Sequence, residues 1–318
     1  MAASCDCKFS CHCVTIALRF VRILPGVMKE PAGSTTEDAQ SILRAAVADA
    51  SETEIWPVSA TTSNFVYQTS DGSIVRFPHN DWVSDGFFRE RKLLNQLNGR
   101  LGVSIPQISH FNEGPVFMTY KAIEGMVASR DVVSTLNSEC RERFGVSLGA
   151  FMARLHGEPV DQFDFLPRDY GEELLRQLRQ NAAEIDKRDP EGRVGGLIVE
   201  TLEAWDEVRN GNDNLVLLHQ DLHGQNLICN PETGDLVGVL DFTLAWIGNP
   251  LWDFPEVYRC GADILEHTVA IYTEMSGRKI NTEAVKIISR LQLLRSFDRA
   301  PLDSAREAQV LERIRAHP

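Results

Sequence analysis

The sequence is short of positive charge. Its 318 residues carry 32 Lys and Arg against 45 Asp and Glu, a formal net charge of −13. A broad nucleic-acid-binding face needs the opposite balance, because phosphate backbones are neutralised by Lys and Arg. Long apolar runs are missing too. The nearest approach, Val14 to Val27, is interrupted by Arg19, Arg22 and Pro25 and falls short of the roughly 18–20 residues of a membrane span. Its charges lie inside the apolar stretch rather than ahead of it, which is not a signal-peptide layout. A cytoplasmic protein with no membrane and no nucleic-acid partner is expected. An even, regularly spaced cysteine framework is also lacking. Four of the seven cysteines, Cys5, Cys7, Cys11 and Cys13, crowd the first 13 residues around His12, and Cys140, Cys229 and Cys260 are scattered singly. Thiolates and an imidazole suit a soft metal, but this spacing is not that of a zinc finger. The favoured reading is a disordered leader over residues 1–34, or an upstream start codon. Internal repeats and low-complexity tracts are absent.

What is present is the composition of a folded domain: 43% hydrophobic, 24% charged and 8% aromatic residues. The acidity is uneven, at −2 over residues 1–120 and −11 over residues 121–318. Solubility explains such a bias, and so does attraction of a cationic small molecule. Thr36, Glu37 and Asp38 open a helix whose apolar positions Ile42, Leu43, Ala46 and Val47 follow at helical spacing. Short runs rich in β-branched and aromatic residues follow, at 55–58, 65–69 and 74–77. Asp71-Gly72 between the last two is a hairpin signal. Ser84 and Asp85 start a helix to about Asn98, with Phe87, Phe88, Leu94 and Leu97 as its apolar face and Gly99 as its stop. Strands are predicted at 107–111 and 115–120. Beyond Gly125 the pattern is mostly helical, near 131–156, 169–188, 193–209, 251–275, 281–298 and 303–316. A strand-rich island at 215–240 interrupts it. The expected organisation is a leader (1–34), a strand-rich lobe (35–120) and a larger helical lobe (121–318).

The chemistry concentrates in LLHQDLHGQNLICNPETGDLVGVLDFTLAWIGNPLWDF, Leu217 to Phe254. His219, Asp221 and Asn226 fall in a loop between apolar strands, and Asp241 ends the next strand 15 residues later. Such a loop and two strand ends can converge on one point. Hard oxygen donors there suit Mg²⁺, which binds through a few side chains plus nucleotide phosphates. A free carboxylate beside it can orient a hydroxyl and accept its proton.

The D-x4-N spacing followed by D-F is a kinase catalytic-loop pattern. The block closely resembles the aminoglycoside phosphotransferase family, whose usual form is H-G-D-x-x-x-x-N, a hairpin, I-D-F/W and D/N-P-x-x-D. Here the matches are His219, Asp221, Asn226, Asp241, Asn249-Pro250 and Asp253. The resemblance runs from about residue 40 to the C-terminus. It implies an α+β, protein-kinase-like two-lobe fold and a kinase that uses ATP or GTP with Mg²⁺. It makes Asp221 the catalytic base and Asn226 and Asp241 the metal ligands. His219 becomes a structural support of the loop, and Asp253 a brace for it or a substrate contact.

In the first lobe the resemblance implies a phosphate-covering loop at 59–64, where Ser63 and Asn64 are candidates. It implies Arg76 as the phosphate-gripping base with Glu90 as its ion-pair partner, and a hinge whose backbone at Thr119, Tyr120 and Lys121 meets the adenine edge. There are departures. The loop has no glycines, Gln220 replaces the glycine after His219, and Thr243 replaces the glycine of D-F-G. The last two put loop flexibility in doubt, and the missing glycines together with an arginine at position 76 keep a catalytically silent nucleotide-binding scaffold open as an alternative. A protein kinase is disfavoured, because Asn249-Pro250 follows Asp241 within ten residues and no A-P-E segment appears. The acidic second lobe suits a polycationic aminoglycoside acceptor; another small alcohol or a macrolide is the alternative. Oligomeric state is not legible.

Overall fold

The computed structural model describes residues 32–47, 50, 52–60, 63–168, 171, 173–180, 193–208, 215–298, 308 and 312. The cysteine-rich part of the leader and most of the helix expected at 303–316 lie outside these residues. The chain divides into two units, one holding residues up to Ser84 together with Ser109–Lys121, the other Asp85–Ile108 and the chain from Ala122 onward.

The first unit begins with helix α1 (Thr36–Ala46), which starts one residue later than its cap: Thr35 accepts a hydrogen bond from the Asp38 amide. Only Ala39 and Leu43 of this helix are buried. A five-stranded sheet follows in the order β1-β2-β3-β5-β4, with β1 at Ile55–Ala60, β2 at Asn64–Thr69, β3 at Ser73–Pro78, β4 at Ile108–Glu113 and β5 at Val116–Lys121. Asp71-Gly72 forms the expected turn, with Gly72 at φ +78°, a backbone region closed to most side chains. Val75, Phe77 and Phe117 are fully buried and pack with Tyr67 and Leu43 in a small core.

Helix α2 (Asp81–Leu97) starts three residues before the expected Ser84. The Asn80 carboxamide caps it by accepting from Val83 N at 3.1 Å. Phe87, Glu90, Leu93, Leu94 and Leu97 are buried, which is one face at helical spacing. Phe88, expected on that face, is instead 40% exposed, because it lies about 100° round the helix from Phe87.

The second unit is mainly helical. The single helix expected at 131–156 is two, α3 (Arg130–Thr135) and α4 (Ser138–Leu155). Leu136 closes the first, and Asn137 caps the second by accepting from Cys140 N at 2.8 Å. Phe144, Leu148, Phe151, Met152 and Leu155 give α4 a fully buried stripe. Residues 173–180 form α5 and Arg193–Val208 form α6. The helix expected at 251–275 is also broken. Helix α7 (Phe254–Cys260) stops at Gly261, φ +151°, and α8 (Ala262–Ser276) and α9 (Thr282–Asp298) follow. Between α6 and α7 lie β7 (Val216–Leu218), β8 (Leu227–Cys229), β9 (Leu236–Val239) and β10 (Trp246–Gly248), the last not expected from the sequence. A short β6 (Met126–Val127), also unexpected, pairs with β8 to make the sheet β6-β8-β9, and β7 pairs with β10. Among the described residues no helix is long and apolar enough to cross a membrane.

Candidate active site

The turn between β7 and β8 carries His219 to Asn226. Both flanking strands are buried throughout, so the turn is fixed at both ends. His219 is completely buried. Its Nε2 lies 3.0 Å from the Leu240 carbonyl, and its Nδ1 accepts from the Asp221 amide at 3.2 Å. These partners select the neutral tautomer with the proton on Nε2. Burial pushes its pKa down, so it stays neutral. The imidazole also packs edge-on to Phe242, ring centroids 4.5 Å apart. His219 thus ties the segment before Asp241 to the segment before Asp221.

Gln220 occupies the position where the aminoglycoside phosphotransferase pattern has glycine, and its φ is +69°. That region costs a side-chain-bearing residue about 1–2 kcal/mol. Two bonds offset the cost: its amide donates to Asp253 Oδ1 at 2.6 Å, and its Nε2 donates to the Trp252 carbonyl at 2.9 Å. Asp253 is 1% exposed. Its Oδ2 accepts from the His219 amide at 2.9 Å. One carboxylate therefore holds two consecutive loop amides.

Asp221 projects from this braced loop. Asn226 Nδ2 donates to both the Asp221 carbonyl and Asp221 Oδ2, each at 2.9 Å. The Asp221 pKa is raised to about 6, chiefly by burial; Asp241 and Glu256 add to the rise, and His223 and the Asn226 bond oppose it. His223, which the sequence reading passed over, stands with Nε2 3.5 Å from Asp221 Oδ1, and its Nδ1 accepts from Gln225 N at 3.2 Å. A histidine two residues after an aspartate in a chemistry-bearing loop was the available signal.

Asp241 is brought to the same place by the sheet. The Leu240 amide donates to the Asn226 carbonyl at 2.8 Å, which sets Asp241 beside Asn226. Its backbone is left-handed, φ +60°, a conformation aspartate tolerates better than most residues. The carboxylate of Glu90, fully buried, accepts from Phe242 N at 3.0 Å and from the Thr243 hydroxyl at 2.8 Å. Thr243, in place of a glycine, thus adds a bond to helix α2.

The oxygen donors at this point suit the divalent cation that the sequence implies. Asn226 commits its NH₂ to Asp221, which leaves its carboxamide oxygen pointing the other way, and Asp241 adds a carboxylate. Two hard oxygen donors are few for an all-protein cage, and among the described residues no group of three His, Cys, Asp or Glu side chains forms one. Mg²⁺ bound chiefly to phosphates and water needs no more than this, so the residues fit.

The remaining candidates lie in the first unit, apart from Glu90. Arg76 is 3% exposed on β3, opposite Val66 and Met118 in the strand register. Its Nη2 lies 3.2 Å from the Asn64 carboxamide oxygen when that amide is turned to face it, and the Asn64 NH₂ then donates to the Ser63 carbonyl at 3.2 Å. The Ser63 carbonyl also accepts from His79 N. Thr119 and Tyr120 are buried in β5, which has β3 on one side and β4 on the other. Lys121 is exposed and forms an ion pair with Asp71 at 2.6 Å; with Thr69 it holds the Asp71 carboxyl well below the usual range.

No curated protein matches the chain in sequence. Among solved structures, it is similar to APH(2″)-IIIa in complex with GDP and kanamycin. The TM-score is 0.78, the identity 18%, and the match covers 88% of this chain and 97% of that one. It also resembles APH(2″)-IIa in its streptomycin–ATP ternary complex, with TM-score 0.61, 19% identity, and 83% and 91% covered. A third likeness is to the apoenzyme of the macrolide 2′-phosphotransferase MphH from Brachybacterium faecium, with TM-score 0.61, 20% identity, and 81% and 90% covered. These likenesses establish the protein-kinase-like fold. In sequence, residues 54–283 match the description "phosphotransferase enzyme family", a span that includes every residue of the site above, and the chain belongs to that family.

Proposed function

We propose that this phosphotransferase moves the γ-phosphoryl group of ATP or GTP to a hydroxyl of a small cationic molecule, an aminoglycoside-type antibiotic. One observation carries the reading: Asp221, Asn226 and Asp241 are assembled at one point by the braced loop and the β8–β9 pair. Phosphoryl transfer asks the protein for positioning and charge stabilisation more than for covalent chemistry. Asp221 orients the acceptor hydroxyl and takes its proton. A pKa near 6 leaves it ionised at neutral pH yet more basic than a surface carboxylate. Asn226 and Asp241 hold Mg²⁺, which when bound offsets the charge on the transferring phosphates. Arg76 binds phosphate oxygens through its planar fork, and Glu90 is its counter-charge. Ser63 and Asn64 line the phosphate loop. The backbone at Thr119 to Lys121 meets the nucleobase. His219 and Asp253 hold the loop without touching substrate. The acidity of residues 121–318 supports a cationic acceptor. A nucleoside triphosphate donor fits a cytoplasmic enzyme.

The test is coupled ATP and GTP turnover against aminoglycosides, macrolides and choline-like alcohols, for wild type and Asp221→Asn. Transfer to an aminoglycoside is expected, with Mg²⁺ required and turnover about 10²–10⁴-fold lower in the variant. Near-normal turnover by Asp221→Asn would remove that residue from the mechanism. No Mg²⁺-dependent turnover with any acceptor would favour a silent nucleotide-binding scaffold.

A further inference from the structure

Behind Asp253 lies a second layer of buried polar groups with no part in the assignments above. His156, the residue that closes α4, is 1% exposed, and Tyr272 of α8 is fully buried. His156 Nε2 lies 3.1 Å from Asp253 Oδ2, and His156 Nδ1 lies 3.0 Å from the Tyr272 hydroxyl. Three elements distant in sequence therefore meet on the carboxylate that holds the His219 and Gln220 amides.

We propose that Tyr272 and His156 are positioning residues for the catalytic loop: the phenol fixes the imidazole tautomer that donates to Asp253. This rests on the kinase reading only for its effect on turnover. The proton placement follows from the partners. Asp253 Oδ2 accepts, so His156 Nε2 carries the proton, and in the neutral imidazole Nδ1 is then the acceptor that a phenol can serve. Tyr272 is the donor: burial pushes its pKa up to about 12, so it keeps its proton at working pH. The opposite tautomer would aim a lone pair at the carboxylate. Asp253 would then turn away from at least one of the two loop amides, and Gln220, already at positive φ, would lose part of what holds it there.

Tyr272→Phe removes one hydroxyl and keeps the ring that packs edge-on to His156 and Phe254. Amide hydrogen exchange on the free enzyme, with long-range ¹H–¹⁵N spectra of His156, reads the loop without any substrate. The expected result is at least tenfold faster exchange at the His219 and Gln220 amides, a shift of His156 away from the Nε2–H tautomer, and unchanged exchange in the middle of α4. If the enzyme turns over, kcat should fall about tenfold with donor KM within twofold. His156→Gln, whose Nε2 can still donate to Asp253, should keep the two amides protected. Unchanged exchange at both amides in Tyr272→Phe, or a rise spread equally through α4 and α8, would overturn the proposal. Loss of protection in His156→Gln would also overturn it, and that variant carries the test alone should Tyr272→Phe fail to fold. Absence of turnover in the wild type would sink the kinase reading and leave the exchange result standing by itself.

Discussion

At the scale of single residues, the site concentrates destabilising choices in one turn. Asp221 is a carboxylate whose pKa is raised to about 6, chiefly by burial. Such a group binds a proton more readily in the folded chain than in the unfolded one, where its pKa is about 3.9. Its contribution to stability is therefore fully present below pH 4 and is lost as pH rises through 6. Asp221→Asn removes that penalty. The ligand-free variant should melt close to wild type at pH 3.5 and be more stable by about 1–3 kcal/mol at pH 8. Equal melting temperatures at both pH values would mean that Asp221 is not strained by its surroundings. The same shift sets activity: kcat/KM should fall as pH drops through about 6, because a protonated Asp221 cannot accept the hydroxyl proton. Gln220 makes a second test. Gln220→Ala keeps the left-handed backbone and loses the bond to the Trp252 carbonyl, whereas Gln220→Gly loses the same bond but relieves the backbone. The alanine variant should be the less stable of the two by about 1 kcal/mol, read from chemical denaturation.

At the scale of elements, the packing of α4 on α8 decides how firmly His156 and Tyr272 are held. Gly145 and Gly149, one turn apart on α4, let the helices approach. The Gly145 carbonyl accepts from the Thr268 hydroxyl at 3.1 Å. A Cβ on Gly149 would stand 2.4 Å from the Thr268 carbonyl oxygen, a backbone atom that cannot swing aside. Gly149→Ala should therefore cost about 1–3 kcal/mol, despite the better helix propensity of alanine. An unchanged or raised melting temperature would show that the two helices have slack. A similar close approach occurs where α2 meets the segment after Asp241: a Cβ on Gly86 would lie 2.5 Å from Thr243 Cγ2. Glu90 and Gly86 thus hold the threonine that stands in place of the D-F-G glycine from the same helix.

At the scale of the whole molecule, two predictions concern charge and chain ends. With net charge −13, a polycationic acceptor should bind more weakly as salt screens exposed acids beyond roughly 8 Å. Raising KCl should increase KM for the acceptor several-fold more than KM for ATP. Equal sensitivity would favour a neutral alcohol or a macrolide. The leader expected at 1–34 is best tested by truncation at two points. Gly33 is buried: its carbonyl accepts from the Tyr67 hydroxyl at 2.7 Å, and its amide donates to Asp38 Oδ2 at 2.6 Å. Starting the chain at Ala32 should leave the melting temperature unchanged, whereas starting it at Thr35 should lower stability by about 1–3 kcal/mol. Identical melting of the two truncations would show that these bonds add nothing.

The family, the chemistry-bearing block and the order of most elements were legible in the residues alone. Those properties are local. D-x4-N and D-F are read within a few residues, Asp71-Gly72 marks its own turn, and the stripe of α4 repeats at its own period. Tertiary structure decided the rest. No periodicity foretells that Asn137 and Gly261 divide long helical runs, because their effect depends on where the next helix must go. Strands as short as β6 and β10 exist only by pairing with β8 and β7. Phe88 turned outward because neighbouring residues of a helix face different directions, which a list of apolar letters conceals. His156 and Tyr272, 116 residues apart, had no local pattern to join them. Their bond exists because α4 and α8 pack closely enough to bury two polar side chains, and buried polar groups must find partners.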